Sequence, residues 1–282
     1  MGRCRFCNEK AGLFQDSHDA CMRGAETSRV ALGLLVSDAV KSGKTFADIS
    51  HEIDLLKQEG KLETSEVRLL LISAADRASQ EYAVHAPVTQ EDFERIFTIY
   101  KGIGYEFGSQ EIKGRSWYGF PSLALSRIMY RVLHGEEVEY DATGKMSFHL
   151  SHSEQPIYST GRAILATFRD DASRNYYQSV GMPIGGGLYY RIGAATTPTH
   201  QTSLVPSDEG EILLTTEALY FGGLKSTFKI PYGSILRLEP FTDGIGVFQS
   251  HGVGKVFVPD YSGMEIGWFL YNVLTFLVNK TN

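Results

Sequence analysis

The pattern of hydrophobic and polar positions divides the chain into a helical part and a β-rich part. Between residues 29 and 135, apolar residues recur every three or four positions, which is the spacing of a buried helix face. From residue 145 to residue 282, short runs of β-branched and aromatic residues alternate with Gly, Pro, Asp or Ser, which predicts antiparallel strands. We therefore expect an α+β protein with several domains.

Capping residues and glycines predict where the helices begin and end. The first predicted helix contains Val30, Leu32, Leu34, Leu35 and Val40. The first helix is predicted to end at Gly43. In chain order, the next predicted limits are Thr45 to Gly60, Thr64 or Ser65 to Pro87, Thr89 to Tyr100 and Ser122 to Gly135. The two Thr-x-x-Asp patterns are typical of a capped helix start, and glycine is typical of the position after a helix. The interval 29–135 is thus predicted to be a helical domain.

The β-rich part is predicted to begin with a strand at Phe148–Leu150 and to end with a helix. Ser262 and Glu265 have the spacing of a capping box for that helix. Its apolar stripe consists of Ile266, Phe269, Leu270, Val273, Leu274 and Leu277. The apolar run is too short to cross a bilayer and contains Asn272, so we expect a helix that covers a hydrophobic sheet surface.

Four segments of the β-rich part resemble bacterial PH-like or GRAM-like domains. They are Gly210–Thr216, Ala218–Gly222, Phe228–Tyr232 and Ile235–Ile245. The resemblance implies a PH-like domain over residues 145–282, in which a curved antiparallel barrel or sandwich is closed by the C-terminal helix. In PH domains that bind phosphoinositides, the loop between the first two strands is rich in Lys and Arg. The corresponding segment here, Ser151–Pro156, contains neither, so a protein partner is favoured over a lipid headgroup.

All three cysteines lie within the first 21 residues, together with one histidine. An odd number of cysteines in one short segment is a poor basis for disulfides. Cys4 and Cys7 form one close pair, and His18 and Cys21 form another, which matches the ligand sets of structural zinc sites. Four protein ligands leave no position for a reactive water, so a catalytic zinc ion is disfavoured. The alternative is three unrelated thiols and a surface histidine.

Residues 1–28 are predicted to form one small metal-stabilised module. A Cys-x2-Cys knuckle followed by a helix that bears His18 and Cys21 resembles a treble-clef zinc finger, with Asp16 or Ser17 as the expected helix cap. The charges of this segment are mixed: Arg3, Arg5, Lys10 and Arg23 against Glu9, Asp16 and Asp19. This balance favours bracing or a protein contact over nucleic-acid binding.

Composition restricts the class of partner. The hydrophobic fraction of 43% and the charged fraction of 21% are typical of a globular protein, and the formal net charge of −6 argues against broad attraction to nucleic acid or to an anionic membrane. The first ten residues lack the apolar stretch of a signal peptide, so a cytoplasmic protein is expected.

No catalytic residue, small-molecule substrate or organic cofactor is predicted. The run Gly181–Gly187 lacks the Lys-Ser/Thr pair of a phosphate loop, and His149, His152 and Glu154 are interpreted as polar surface groups. The predicted function is that of a non-enzymatic binding or scaffold protein, which is stabilised by zinc and docks a protein through its PH-like domain. The alternatives are peripheral membrane binding through that domain and nucleic-acid binding through the zinc finger.

Overall fold

The structure is a computed structural model that describes residues 2–12, 16–105, 118–139, 148–170, 177–185, 188–195, 202–260 and 264–281. The chain divides into two compact units, which are considered separately below. The helical unit comprises Met1–Ala83 and Val88–Ala124, and the β unit comprises Val84–Pro87 and Leu125–Asn282.

Within the described residues, five helices occupy the first half of the chain. They are α1 (Asp19–Ser42), α2 (Phe46–Gly60), α3 (Thr64–His85), α4 (Gln90–Gly102) and α5 (Gly119–His134). The glycine signals are confirmed: Gly43 follows α1 in the left-handed conformation at φ 85°, and Gly135 follows α5 at φ 69°. The predicted cap at Ser122 is wrong, because α5 begins at Gly119 and the backbone N–H of Ser122 already donates to the carbonyl of Tyr118. Asp48 accepts a hydrogen bond from the backbone N–H of Thr45 at 2.7 Å, which completes the start of α2.

The core of the helical unit is formed by the apolar faces of α1 to α4. Leu32, Ile49, Ile96 and Tyr100 are fully buried in it. At the C-terminal end of α1, Arg95 of α4 donates hydrogen bonds to the carbonyl oxygens of residues 39, 40 and 44 at 3.1–3.2 Å. Carbonyl groups at the C-terminal end of a helix have no intrahelical hydrogen-bond donor. The guanidinium of Arg95 on α4 supplies the hydrogen bonds that the end of α1 lacks.

A buried carboxylate of α3 holds the start of α5. Asp76 accepts hydrogen bonds from the backbone N–H groups of Gly119 at 2.6 Å and Tyr118 at 3.3 Å, and from Gln80 at 2.8 Å. Burial is the main influence on this carboxyl and raises the pKa of Asp76 in spite of these bonds. Gly119 allows the close approach, since a Cβ there would lie 2.3 Å from the carbonyl oxygen of Asp76.

The β unit contains a large antiparallel sheet and a separate hairpin. The strands are β1 (Pro156–Asp170), β2 (Tyr177–Gly185), β3 (Leu188–Ala195), β4 (Thr202–Thr215), β5 (Ala218–Gly223), β6 (Thr227–Pro231), β7 (Ile235–Pro240), β8 (Ile245–Gln249) and β9 (Lys255–Pro259). Seven of them form a sheet in the order β6-β5-β4-β1-β9-β8-β7, whereas β2 pairs with β3.

Chain connectivity forces the seven-stranded sheet to curl. The edge strands β6 and β7 are separated in sequence only by the short 3-10 turn Tyr232–Ser234. The four residue steps from Pro231 to Ile235 span at most about 14 Å, whereas six strand spacings in a flat sheet would place the edges about 29 Å apart. The sheet therefore bends into a curled half-barrel.

The C-terminal helix, α6 (Gly267–Thr281), packs against β7, β8 and the 3-10 turn. Every residue of its predicted apolar stripe is buried. The Phe269 ring meets the ring of Tyr158 on β1 edge to face, with centroids 4.9 Å apart. Among the described residues, no helix is both long enough and apolar enough to cross a membrane.

Limits at both ends of the β unit also differ from the sequence predictions. Phe148–Leu150 is not a strand; the Phe148 ring packs on Tyr220 at 5.4 Å, so this apolar segment covers the sheet instead of joining it. Residues 151–155 consequently precede the first strand and do not connect the first two. The last helix begins at Gly267, after Glu265, and Ser262 lies outside the described residues.

Candidate metal centre

The four predicted ligands come together at one point of the helical unit. Cys4, Cys7, His18 and Cys21 each direct one ligand atom inward, and these atoms all lie within 4.8 Å of one another. Cys4 is buried, with 2% of its surface exposed, and the other three are half-buried.

A short knuckle positions the first two cysteines. The backbone N–H of Asn8 donates to the carbonyl of Cys4 at 2.8 Å, and the N–H of Cys4 donates to the carbonyl of Glu9 at 2.8 Å. Asn8 adopts a left-handed conformation at φ 60°, which asparagine tolerates better than most residues. This tight reversal turns Cys4 and Cys7 toward the same point.

The start of α1 positions the other two ligands. His18 itself is the N-cap residue, so the predicted cap at Asp16 or Ser17 is displaced by one or two positions. Its side chain makes no capping hydrogen bond to α1, because its two nitrogens face other groups. Cys21 lies in the first turn of the helix, three residues after His18, and therefore on the same side.

Hydrogen bonding orients the imidazole of His18. Its Nε2 atom lies 3.0 Å from the carbonyl oxygen of Lys10, so Nε2 carries the proton and donates it. The other nitrogen, Nδ1, faces the sulfur atoms of Cys7 at 3.3 Å and Cys21 at 3.9 Å. Metal-binding histidines are commonly oriented by such a second bond.

The electrostatics of the cluster favour an added cation. Burial opposes ionisation of Cys4, but the backbone N–H groups of Cys7, His18 and Phe6 donate to its sulfur, and the pKa of Cys4 is lowered to about 6. Burial first, and then hydrogen bonds and repulsion from the other two thiols, raise the pKa of Cys21 to about 11. A positive ion among the three sulfurs would relieve this repulsion.

The geometry fits a tetrahedral ion. Metal–ligand distances of about 2.0–2.3 Å place neighbouring ligand atoms about 3.3–3.8 Å apart in a tetrahedron. Small rotations of the side chains would bring atoms that now lie within 4.8 Å of one another to such distances. The Cys3His cluster could therefore hold a metal ion.

Sequence reasoning missed a second buried cluster, in the β unit. Glu154 was interpreted as a surface group, but its side chain is fully buried. It accepts hydrogen bonds from Thr215 at 2.6 Å, Tyr220 at 2.7 Å and Lys229 at 2.9 Å. The two neighbouring histidines, His149 and His152, are exposed, as predicted. With its acceptor sites occupied by protein donors, Glu154 serves structure.

A search of protein-family models and a search of curated protein sequences each find no match to this chain. The resemblance to PH-like and GRAM-like domains therefore stays a hypothesis that depends on the curled sheet and its C-terminal helix.

Proposed function

We propose that this protein is a non-enzymatic binding protein, in which a structural zinc ion stabilises the N-terminal segment and a PH-like β unit docks a protein partner. The observation that supports it best is the convergence of Cys4, Cys7, His18 and Cys21 within 4.8 Å. Three thiolates and one imidazole are a preferred ligand set of structural zinc. Because all four positions are filled by protein, the ion has no site for substrate or water.

At this end of the chain, the zinc ion would provide the stability that a hydrophobic core provides in a larger domain. Within the described residues, the hydrogen bonds that join the knuckle to the start of α1 are few, such as that from the backbone N–H of Arg5 to the carbonyl of Asp16 at 2.9 Å and that from His18 to the carbonyl of Lys10 at 3.0 Å. A segment of this size buries too little apolar surface to fold alone. Metal binding would therefore supply its folding free energy.

Metal content and folding test the zinc proposal together. Protein purified without chelator should contain about one zinc ion per chain by elemental analysis. The Cys7→Ser, Cys21→Ser double variant should lose the ion and unfold at a lower temperature. Met22→Ser is the matched control, because it removes the sulfur of an exposed neighbour that is not a ligand. A double variant that kept its metal and its melting temperature would refute the proposal.

Two exposed apolar residues support a docking role for the β unit. Leu224 lies in the β5–β6 turn with 89% of its surface exposed, and Val253 lies in the β8–β9 turn with 60% exposed. All neighbours in the sheet are antiparallel, so β5 and β8 run in the same direction and both turns lie at one end of the sheet. We call this pair the tip surface. Contiguous exposed apolar surface is typical of interaction sites, and we infer that the two turns contribute to one.

The tip surface also supports the second candidate, peripheral membrane binding. Exposed apolar turns could enter a bilayer interface, but the two turns, residues 224–226 and 250–254, contain a single lysine. That residue, Lys225, donates a hydrogen bond from its ammonium to the carbonyl of Ser207 at 2.8 Å. A surface with so little positive charge fits a protein better than anionic lipid.

One pair of variants separates these candidates. The double variant Leu224→Asp, Val253→Asp should abolish cross-linking of the β unit to its partner in extracts of the native host, whereas Leu55→Asp, at an exposed leucine of the helical unit, should not. Sedimentation with phosphatidylserine vesicles at low salt should leave the wild type in the supernatant. Co-sedimentation that the double variant abolishes would favour membrane binding instead.

A further inference from the structure

The helical unit carries a long open groove between α1 and α3. Its volume is about 470 Å³. The lining residues are Arg29, Val30, Gly33, Leu34, Ser37 and Lys41 from α1, and Leu70, Ser73, Ala74, Arg77, Ala78 and Glu81 from α3. We call it the α1–α3 groove.

The α1 side of the groove exposes apolar side chains that are out of phase with the core. Leu32 and Val36 are fully buried, whereas Val30 is 55% exposed and Leu34 is 65% exposed. Positions 30 and 34 are one turn apart, so α1 has a second apolar face that the helical unit does not cover. Large exposed residues that are neighbours on one face favour a partner over solvent.

The bottom of the groove is made of small residues. Gly33, Ser37, Ser73, Ala74 and Ala78 contribute little side-chain bulk. A Cβ added at Gly33 would meet no atom within 4 Å, so there is open space directly above the α1 backbone. A second helix could therefore approach closely here, with its own larger side chains filling the space.

Ion pairs mark the two ends of the groove. Arg29 pairs with Glu66 at 2.6 Å, and Lys41 pairs with Glu81 at 2.5 Å. The twelve residue steps between Arg29 and Lys41 correspond to about 18 Å of helix, or a little more than three turns. This length suits a short helix of a partner.

The charge of the groove indicates what kind of helix it would accept. Its lining contains three cationic residues, Arg29, Lys41 and Arg77, but one acidic residue, Glu81, which is already paired with Lys41. Arg77 is exposed and makes no ion pair within the part of the chain that the structure describes. A carboxylate on the occupant would therefore find a free guanidinium in the groove.

We propose that the α1–α3 groove binds an acidic amphipathic helix of a partner protein, with its apolar stripe against Val30 and Leu34 and a carboxylate on Arg77. This site goes beyond the proposed function, because it lies in the helical unit and requires neither the tip surface nor a PH-like identity of the β unit. In helix-in-groove recognition the bound helix carries apolar anchors at positions i, i+3 or i+4, and i+7, and such a stripe would lie along Val30 and Leu34.

The test uses the full chain, saturated with zinc, and two fluorescent helical peptides of eighteen residues. Both peptides carry the same leucine stripe, but one has glutamates and the other lysines on the flanking positions. Fluorescence anisotropy should show binding of the acidic peptide and at least about tenfold weaker binding of the basic one. Arg77→Ala should weaken binding of the acidic peptide about tenfold.

Glycine variants separate groove blocking from misfolding. Gly33→Gln fills the groove, whereas Gly24→Gln changes another open helical glycine of α1 that does not line it. Both should fold, since glutamine favours a helix more than glycine does. Gly33→Gln should reduce binding of the acidic peptide at least about tenfold, and Gly24→Gln should leave it unchanged.

Three outcomes would overturn the proposal. The first is no binding of the acidic peptide up to about 1 mM, a level at which recognition would be negligible. The second is equal binding by the wild type and Gly33→Gln. The third is a dimer of the chain, seen by analytical ultracentrifugation and abolished by Gly33→Gln, which would assign the groove to a second copy.

Discussion

At the scale of single residues, Glu154 shows how one buried carboxylate holds several segments of the β unit. Burial opposes its ionisation, but hydrogen bonds from Thr215, Tyr220 and Lys229 outweigh burial and lower the pKa of Glu154 to about 2. These three donors lie on β4, β5 and β6, so the carboxylate joins three neighbouring strands to the segment that precedes β1.

This pKa predicts a specific dependence of stability on acid. The folded pKa lies below the ordinary value of 4.5, so the ionised form stabilises the fold fully above that pH, and the stabilisation is lost as the pH falls toward 2. The loss should be on the order of 3 kcal/mol. Urea unfolding of the β unit, followed by near-ultraviolet circular dichroism between pH 6 and pH 2, measures it.

Substitution of Glu154 provides the control for that prediction. Glu154→Gln should reduce the free energy of unfolding at pH 7 by about 2–3 kcal/mol, because the ammonium of Lys229 loses its buried partner. It should also flatten the acid dependence. Glu137→Gln, at an exposed glutamate of the same unit, should change neither. An unchanged pH profile in Glu154→Gln would contradict the assignment.

At the scale of elements, the junction between α3 and α5 depends on the absence of a side chain. Gly119 lets the N-terminus of α5 donate directly to Asp76, and any Cβ there would meet backbone atoms of α3. Backbone cannot move aside as a flexible side chain can. Overlap at this position therefore shifts one whole helix against the other.

We expect Gly119→Ala to reduce the free energy of unfolding of the helical unit by about 1–3 kcal/mol, as overpacked sites do. Gly24→Ala is the matched control, because a Cβ at that helical position would meet no atom within 4 Å. It should instead raise stability by up to about 1 kcal/mol through helix propensity. Thermal unfolding at 222 nm distinguishes the two. Equal effects would contradict the packing described for Gly119.

At the scale of the whole molecule, each of the two compact units contains a polar cluster that can be perturbed experimentally. The Cys3His cluster, the candidate metal centre, lies in the helical unit, and the Glu154 cluster lies in the β unit. We expect chelation of the metal to raise amide hydrogen exchange in the knuckle and the first turns of α1, while β4 to β6 keep their protection. Glu154→Gln should have the reverse effect, because it removes contacts of those strands alone.

Exchange measured by mass spectrometry on peptides from both units tests this prediction. Apo and zinc-loaded wild type should be compared under the same conditions as Glu154→Gln, with Glu137→Gln as the control for the charge change. Loss of protection in β4 to β6 on chelation would show that the metal centre stabilises more than its own unit.

Local signals made the helices predictable from the sequence. Thr45 with Asp48, and Gly43 and Gly135, act within one turn of chain, so their effect needs no tertiary information. The candidate ligands Cys4, Cys7, His18 and Cys21 could be recognised for the same reason, because each pair is close in sequence. The long strands β1 and β4 were predicted only in part: β1 as Ala163–Phe168, and β4 as the two strands Thr202–Val205 and Glu211–Thr216, since interior residues such as Gly161 and Gly210 resemble turn signals.

Features that depend on distant parts of the chain were not predictable. Glu154 belongs to a polar run that has neither helical nor strand periodicity. Its hydrogen-bond donors Thr215 and Lys229 lie more than sixty residues away in the sequence. Val30 and Leu34 were grouped with the buried residues of α1, although they are exposed. A signal for the groove was present, because positions 30 and 34 are out of phase with the core positions 32 and 36.

The three-residue turn Tyr232–Ser234, which makes the sheet curl, also holds the two edge strands β6 and β7 near each other. A flat sheet would leave the backbone groups of β6 and β7 facing away from each other, each free to pair with a strand of a neighbouring molecule. The short turn keeps these two edges close, with α6 packed against β7. A longer insertion there would let the edges separate, and domain swapping or fibril growth would become the main hazard of this fold.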